Sequence, residues 1–271
     1  MISKKTKEEI KILKEGGKKL GSIMKRLVRE VKPGVSTEDL EKLACELIKK
    51  ADGRPAFKNF EIFSGEYFPT ALCTSVNNEI VHKPAIPGRV LNEGDIIGID
   101  IGMEYPIKKK KKIENRYSRF GGFYTDMAKT IAVGDIDRHT KKLLSATKES
   151  LEIAIRKAKP GNTLNDIGKS IQKHVESKGF SVVRDLVGHG VGHKVHEDPQ
   201  VFNYDFLKEG IKDVVLEPGM VIAIEPMVNV GSPATKSGPD GFSVVTADGS
   251  LSAHFEHTIA IVDKGNIVIT S

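Results

Sequence analysis

Gly94-Asp-Ile-Ile-Gly-Ile-Asp100 aligns without a gap against Gly219-Met-Val-Ile-Ala-Ile-Glu225. Each stretch is a short β-branched run that ends on a carboxylate, and the pair shows that the chain repeats itself. A second pair follows in the same order. Asp126 precedes the run Thr130-Ile-Ala-Val, and Glu256 precedes Thr258-Ile-Ala-Ile. Alternation along a strand puts Gly98 beside Asp100 and Ala223 beside Glu225, while Ile97, Ile99, Ile222 and Ile224 face the other way into a core. Small neighbours leave room beside each acid.

Helical patterns surround these strands. Across residues 6–31, Ile10, Leu13, Leu20, Ile23, Leu27 and Val31 recur at helical spacing among Lys and Glu, until Pro33-Gly34 ends the pattern. Ser36 with Asp39 three later has the form of a capping box, opening a second helix that runs to about Ala51 and stops at Asp52-Gly53. Residues 138–158 and 164–178 follow the same grammar and are stopped by Pro160-Gly161 and Gly179. The order is helices, strands, helices, strands. We therefore expect an α+β chain forming a single domain over residues 1–271, with related halves of about 1–135 and 136–271.

Composition agrees with a globular protein: 39% apolar and 29% charged residues lie far from disordered or fibrous extremes. No run approaches the roughly 18 apolar residues of a spanning helix. The opening MISKKTKEEI lacks the apolar stretch of a secretory signal, so a cytoplasmic location is expected. Cys45 and Cys73 are too few for a disulfide framework or a zinc ribbon. The formal charge of +6 is compatible with weak attraction to acidic surfaces such as RNA.

Four acids at matching positions of two half-repeats need a partner. Two carboxylates about 4 Å apart repel by roughly 4 kcal/mol even at an effective dielectric of 20. Two divalent ions would balance four carboxylates, and a neutral imidazole would add a ligand without disturbing the charge. The histidine comes from Gly188-His-Gly-Val-Gly-His193. His189 and His193 have the spacing of a helical zinc motif, but no Glu follows the first, and Gly190 and Gly192 oppose a helix. A glycine-flanked loop or turn is the better reading, with His189 as ligand, His196 nearby and His193 structural. His82 ends a short strand before a proline-rich loop. Paired ions would lower the pKa of a shared water and polarise a carbonyl, which is hydrolytic chemistry. Neither a Gly-x-Ser-x-Gly elbow nor a P-loop is present.

The ordered set Asp100, Asp126, His189, Glu225 and Glu256, with His196 seven residues beyond His189, resembles the type I methionine aminopeptidases. The likeness runs from the first helix to the end and includes Asn77-Asn-Glu-Ile-Val-His82, His196-Glu-Asp-Pro-Gln-Val201, Met220-Val-Ile-Ala-Ile-Glu-Pro226 and Leu251-Ser-Ala-His-Phe-Glu-His-Thr258. It implies the pita-bread fold, two pseudo-symmetric αβ halves around a curved antiparallel sheet. It implies two divalent ions (Co, Mn, Fe, Zn or Ni), with Asp100 chelating one, Asp126 and Glu256 bridging both, and His189 with Glu225 holding the other. Glu225 would also be the base, and His82 and His196 would contact substrate at the scissile amide as catalytic residues. Phe68, Cys73 and Phe242 would line the methionine pocket. The implied activity is removal of the N-terminal methionine from nascent proteins and peptides with a small second residue. A monomer is the default expectation, no membrane or specific DNA partner is expected, and transient contact with the ribosome is one open role for the segment 105–123.

One departure stands out. Asp100 and Asp126 are 26 residues apart, whereas the family keeps them much closer, so 105–123 reads as an insertion on a hairpin carrying the lysine run 108–112. If it projects away it leaves catalysis intact; if it folds over the mouth it restricts substrates. Three rivals remain: an X-Pro aminopeptidase or dipeptidase with the same metal core, a non-enzymatic pita-bread binding module, and an RNA-binding protein using the lysines. X-Pro enzymes usually carry a large leading domain, for which the residues before Asp100 leave little room. The binding module loses its ligands, and this chain keeps all five. The RNA reading predicts salt-sensitive binding.

Overall fold

In the computed structural model, residues 2–63, 65–107 and 114–271 are described; the lysine run 108–112 lies outside them. The first half opens with helices α1 (Lys7–Glu30) and α2 (Thr37–Lys50). Strands β1 (Leu72–Val76), β2 (Glu79–Val81), β3 (Ile96–Tyr105) and β4 (Phe123–Ala132) follow. The second half repeats the plan with α3 (Arg138–Lys157) and α4 (Leu164–Ser177). After them come β5 (Gly188–Gly190), β6 (Glu197–Val201), β7 (Val221–Ile224), β8 (Ser252–His254), β9 (His257–Ile261) and β10 (Asn266–Val268).

All four expected helices form within a residue of their expected ends. The caps differ in one respect: the Ser36 hydroxyl accepts from the Glu38 N–H, and no reciprocal bond from Asp39 completes a box. Reciprocal boxes form instead at Thr6 with Glu9 and at Thr163 with Asp166. In both, the acid reaches back to the cap N–H and satisfies a second orphan donor.

β3 pairs with β1 on one edge and β4 on the other, both antiparallel. β7 lies between β5 and β9, with β6 outside β5 and β10 outside β9. Each half packs its helices on one face of its own sheet. Ile97, Ile99, Ile101 and Met103 are fully buried with Leu20, Leu27, Leu40 and Ile48 from α1 and α2. Ile222, Ile224, Ile259 and Ile261 are buried with Leu143, Leu151, Ile167 and Ile171 from α3 and α4. A smaller cluster in which Ile10 and Leu13 meet Val221 and Ala260 ties α1 to the second half.

The halves join where β4 runs against the segment 254–258. Glu256 N–H donates to the Ala128 carbonyl, and Lys129 bridges to Phe255. At the flanks the pairing is reciprocal: Thr258 Oγ1 bonds both main-chain groups of Asp126, and Thr130 Oγ1 bonds both main-chain groups of His254. By register, then, Asp126 answers to His254, and Glu256 answers to Ala128. The sequence match of Asp126 with Glu256 is off by one strand repeat of two residues, which is invisible without the pairing.

β3 and β4 pair residue by residue up to Tyr105 and Phe123, where the two strands end. The described part of 105–123 folds back onto the protein. The buried Asn115 amide donates to the carbonyls of Gly122 and His193. Glu104, fully buried, receives Arg54 on one oxygen and the Ser118 hydroxyl on the other. Among the described residues, no helix is long and apolar enough to cross a membrane.

Candidate metal centre

Asp100 stands on β3 opposite Cys73 on β1 and Ala128 on β4, and Asp126 stands opposite Gly102. Residues directly opposite share a face, so both aspartates point to the same side among small neighbours. Glu225 follows the end of β7, and Glu256 lies between β8 and β9. His189 is the middle residue of β5, a short strand rather than the expected loop. Its flanking glycines make the strand possible. A Cβ on Gly188 would lie 2.4 Å from the Ala223 carbonyl oxygen, and one on Gly190 2.2 Å from that of Asp198, so only bare backbone fits between β6 and β7.

The five residues converge. Asp126, His189 and Glu256 each offer a ligand atom, all within 4.8 Å of one another. Glu225 Oε1 lies 3.5 Å from His189 Nε2, and Asp126 Oδ2 lies 3.5 Å from the same nitrogen. His189 Nδ1 is 2.9 Å from the Gly190 carbonyl oxygen. An Nδ1–H donating there leaves the Nε2 lone pair aimed at the acids, which is the tautomer a metal ligand needs.

Electrostatics make this cluster costly on its own. Burial pushes the Asp100 and Glu225 carboxyls up to about 8, with Asp126 nearby adding to both. Burial raises Asp126 and Glu256 as well. Asp100 Oδ1 and Glu256 Oε1 are buried without a hydrogen-bond donor. Buried acceptors are ordinarily satisfied, so orphaned oxygens in a cluster of carboxylates call for a cation. An oxygen-rich set with one imidazole suits divalent ions of several kinds.

These groups line a cavity of about 1240 Å³, which also takes in Phe68, Cys73, His82, His196 and Phe242. Phe68 and Phe242 meet edge to face with centroids 5.8 Å apart. His82 follows β2 with φ +61 and, like His196, is exposed toward the cavity. The His196 ring stands edge-on to His189 at 4.5 Å. His193 is a brace: its ring nitrogens reach Glu9 and Ser3, and its backbone meets Glu197 and Asn115.

Some residues at or beside the site escaped the sequence reading. Asn115, Arg116 and Tyr117 from the insertion border the same cavity, and nothing in their types announced it. His254, 3% exposed, holds Nε2 3.4 Å from Glu225 Oε2. Its place two residues before Glu256, on the same side of an extended segment, was the available signal.

A buried acid and imidazole cluster opening into a cavity with an apolar slot of Phe68, Cys73 and Phe242 defines a metal-dependent hydrolase centre. Comparisons make the class specific. The description of Metallopeptidase family M24 matches residues 11–263. A methionine aminopeptidase of Clostridium acetobutylicum is 43% identical over 270 residues, covering 100% of this chain and 99% of its own. Methionine aminopeptidase 1 of Bacillus subtilis is 44% identical over 271 residues with the same coverage. The crystal structure of the methionine aminopeptidase from Thermotoga maritima matches with a TM-score of 0.88 at 41% identity, over 100% of both chains. The prolidase of Pyrococcus horikoshii shares the fold at a TM-score of 0.73 but only 22% identity, and this chain covers 63% of it. The chain belongs to metallopeptidase family M24 and has its pita-bread fold.

Proposed function

We propose that this chain removes the N-terminal methionine from nascent proteins and peptides, preferring a small second residue. The observation that carries this is the continuity of one cavity from the acid and imidazole cluster to the apolar slot of Phe68, Cys73 and Phe242. An unbranched thioether suits such a slot. The full-length relatives reported above carry the same activity in their names.

Asp100, Asp126, His189, Glu225 and Glu256 would hold two divalent ions. When bound, such a pair lowers the pKa of water and polarises a carbonyl. Glu225 takes the proton of the attacking water and returns it to the leaving amine. His196 and His82, on the open side of the cavity, hydrogen-bond the scissile amide and stabilise the developing oxyanion. The apolar slot fixes the methionine side chain, so the free amino end is drawn in against the carboxylates. The chain acts as one catalytic unit over 1–271, a cytoplasmic monomer. The foot of the 105–123 insertion forms part of the cavity wall, and the lysine run 108–112 supplies a transient contact with the ribosome.

The test is release of methionine from Met-Ala and Met-Gly peptides with Mn²⁺, Co²⁺ or Fe²⁺, its loss with chelator, and its loss in Asp100→Asn. Equal or faster cleavage of Ala-Pro peptides would establish the X-Pro reading instead. Inactivity with every ion would leave a binding module.

A further inference from the structure

His254 is a buried histidine that the five-residue donor set leaves out. Alternation turns it to the same side as Glu256. Its backbone is clamped by one hydroxyl: His254 N–H donates to Thr130 Oγ1 at 2.8 Å, and Thr130 Oγ1 donates to the His254 carbonyl at 2.9 Å. This is the same clamp that Thr258 places on Asp126, so His254 occupies the position in the second half that a carboxylate occupies in the first. The ring is 3% exposed, and Nε2 has no hydrogen-bond partner.

What that nitrogen faces is Glu225 Oε2, 3.4 Å away, while Glu225 Oε1 faces His189 Nε2 at 3.5 Å. The Glu225 carboxylate is therefore bracketed by two imidazoles, one toward each oxygen. We propose that His254 is a positioning residue whose Nε2–H donates to Glu225 Oε2 and turns Oε1 toward the metal position shared with His189. Groups of this kind set the orientation and basicity of a ligating carboxylate. The inference rests on the reading of the cluster as a divalent-metal centre.

The test uses the full chain as wild type, His254→Gln and His254→Leu. Mn²⁺ is titrated into metal-free protein by calorimetry, and kcat and KM are measured on Met-Ala-Ser. Gln keeps an N–H that can reach Glu225 and should bind Mn²⁺ close to wild type. Leu should bind it at least about ten-fold more weakly, with kcat lowered and KM held. If His254→Leu does not fold, His254→Asn, too short to reach, takes its place. Wild-type Mn²⁺ affinity in His254→Leu overturns the proposal. So does equal weakness of Gln and Leu, which would make the ring itself a ligand. Failure of the wild-type chain to bind Mn²⁺, Co²⁺ or Fe²⁺ overturns the metal-centre reading first, and this inference with it.

Discussion

Thr258 holds Asp126 from the opposite half of the molecule: its Oγ1 donates to the Asp126 carbonyl at 2.8 Å, accepts the Asp126 N–H at 3.1 Å and lies 3.0 Å from Oδ1. Thr258→Val keeps the shape and removes all three contacts. It leaves buried polar groups unsatisfied, at about 1–3 kcal/mol. We expect a lower denaturation midpoint and about ten-fold weaker Mn²⁺ binding by calorimetry. Thr258→Ser should restore most of both.

The metal-free protein should lose stability as pH rises. Asp100 and Glu225 have folded pKa values near 8, above their ordinary 3.8 and 4.5. Between about pH 4 and 8 the folded state then holds more protons than the unfolded state, so unfolding free energy falls with increasing pH across that window. Thermal melts in chelator should decline from pH 5 to pH 8, and Asp100→Asn should flatten the decline. Added Mn²⁺ should raise the melting temperature more at pH 8, where protons no longer compete for the carboxylates.

Lys5 and Glu197 form a buried ion pair at 2.6 Å, with side chains 1% and 8% exposed. Glu197 Oε1 also accepts the N–H groups of His193 and Lys194, so the pair fastens the start of the chain to the turn after β5. Lys5→Met leaves that carboxylate without its cation and should cost about 3–5 kcal/mol in urea denaturation. Lys5→Met with Glu197→Gln should cost less than Lys5→Met alone.

Asn115 ties the foot of the insertion to the carbonyl of His193. Asn115→Ala should cost about 1–3 kcal/mol through the two carbonyls it abandons. If the insertion wall guides the peptide beyond its second residue, KM should change for hexapeptides and stay constant for Met-Ala. Equal KM shifts on both would count against such guidance.

Most of the scaffold could be read from the chain. The helices announced themselves through apolar spacing and through stops such as Pro160-Gly161, because these signals act within one turn of backbone. The four acids stood out because two strands repeat the same alternation, and His189 because glycines flank it. Missed features depend on distant pairing: His254 is defined by Thr130, and Asn115 by His193. The spacing of His254 from Glu256 hints at a shared side, but its role as a buried donor depends on the Glu225 carboxylate of another strand. The mismatch of Asp126 with Glu256 has the same origin, since Thr-Ile-Ala occurs in both halves but only cross-strand bonds reveal which residues answer to each other.

The clamps at the junction make the order of synthesis matter. A chain made from its N-terminus acquires Asp100 and Asp126 early, yet the hydroxyl that fixes Asp126 arrives only with Thr258, itself fastened by Thr270 and Ile269. A half-made copy consequently carries acids with no fixed geometry to capture an ion. A newly made molecule holds Asp126 in place only once residues 258–270 have been made and packed against it.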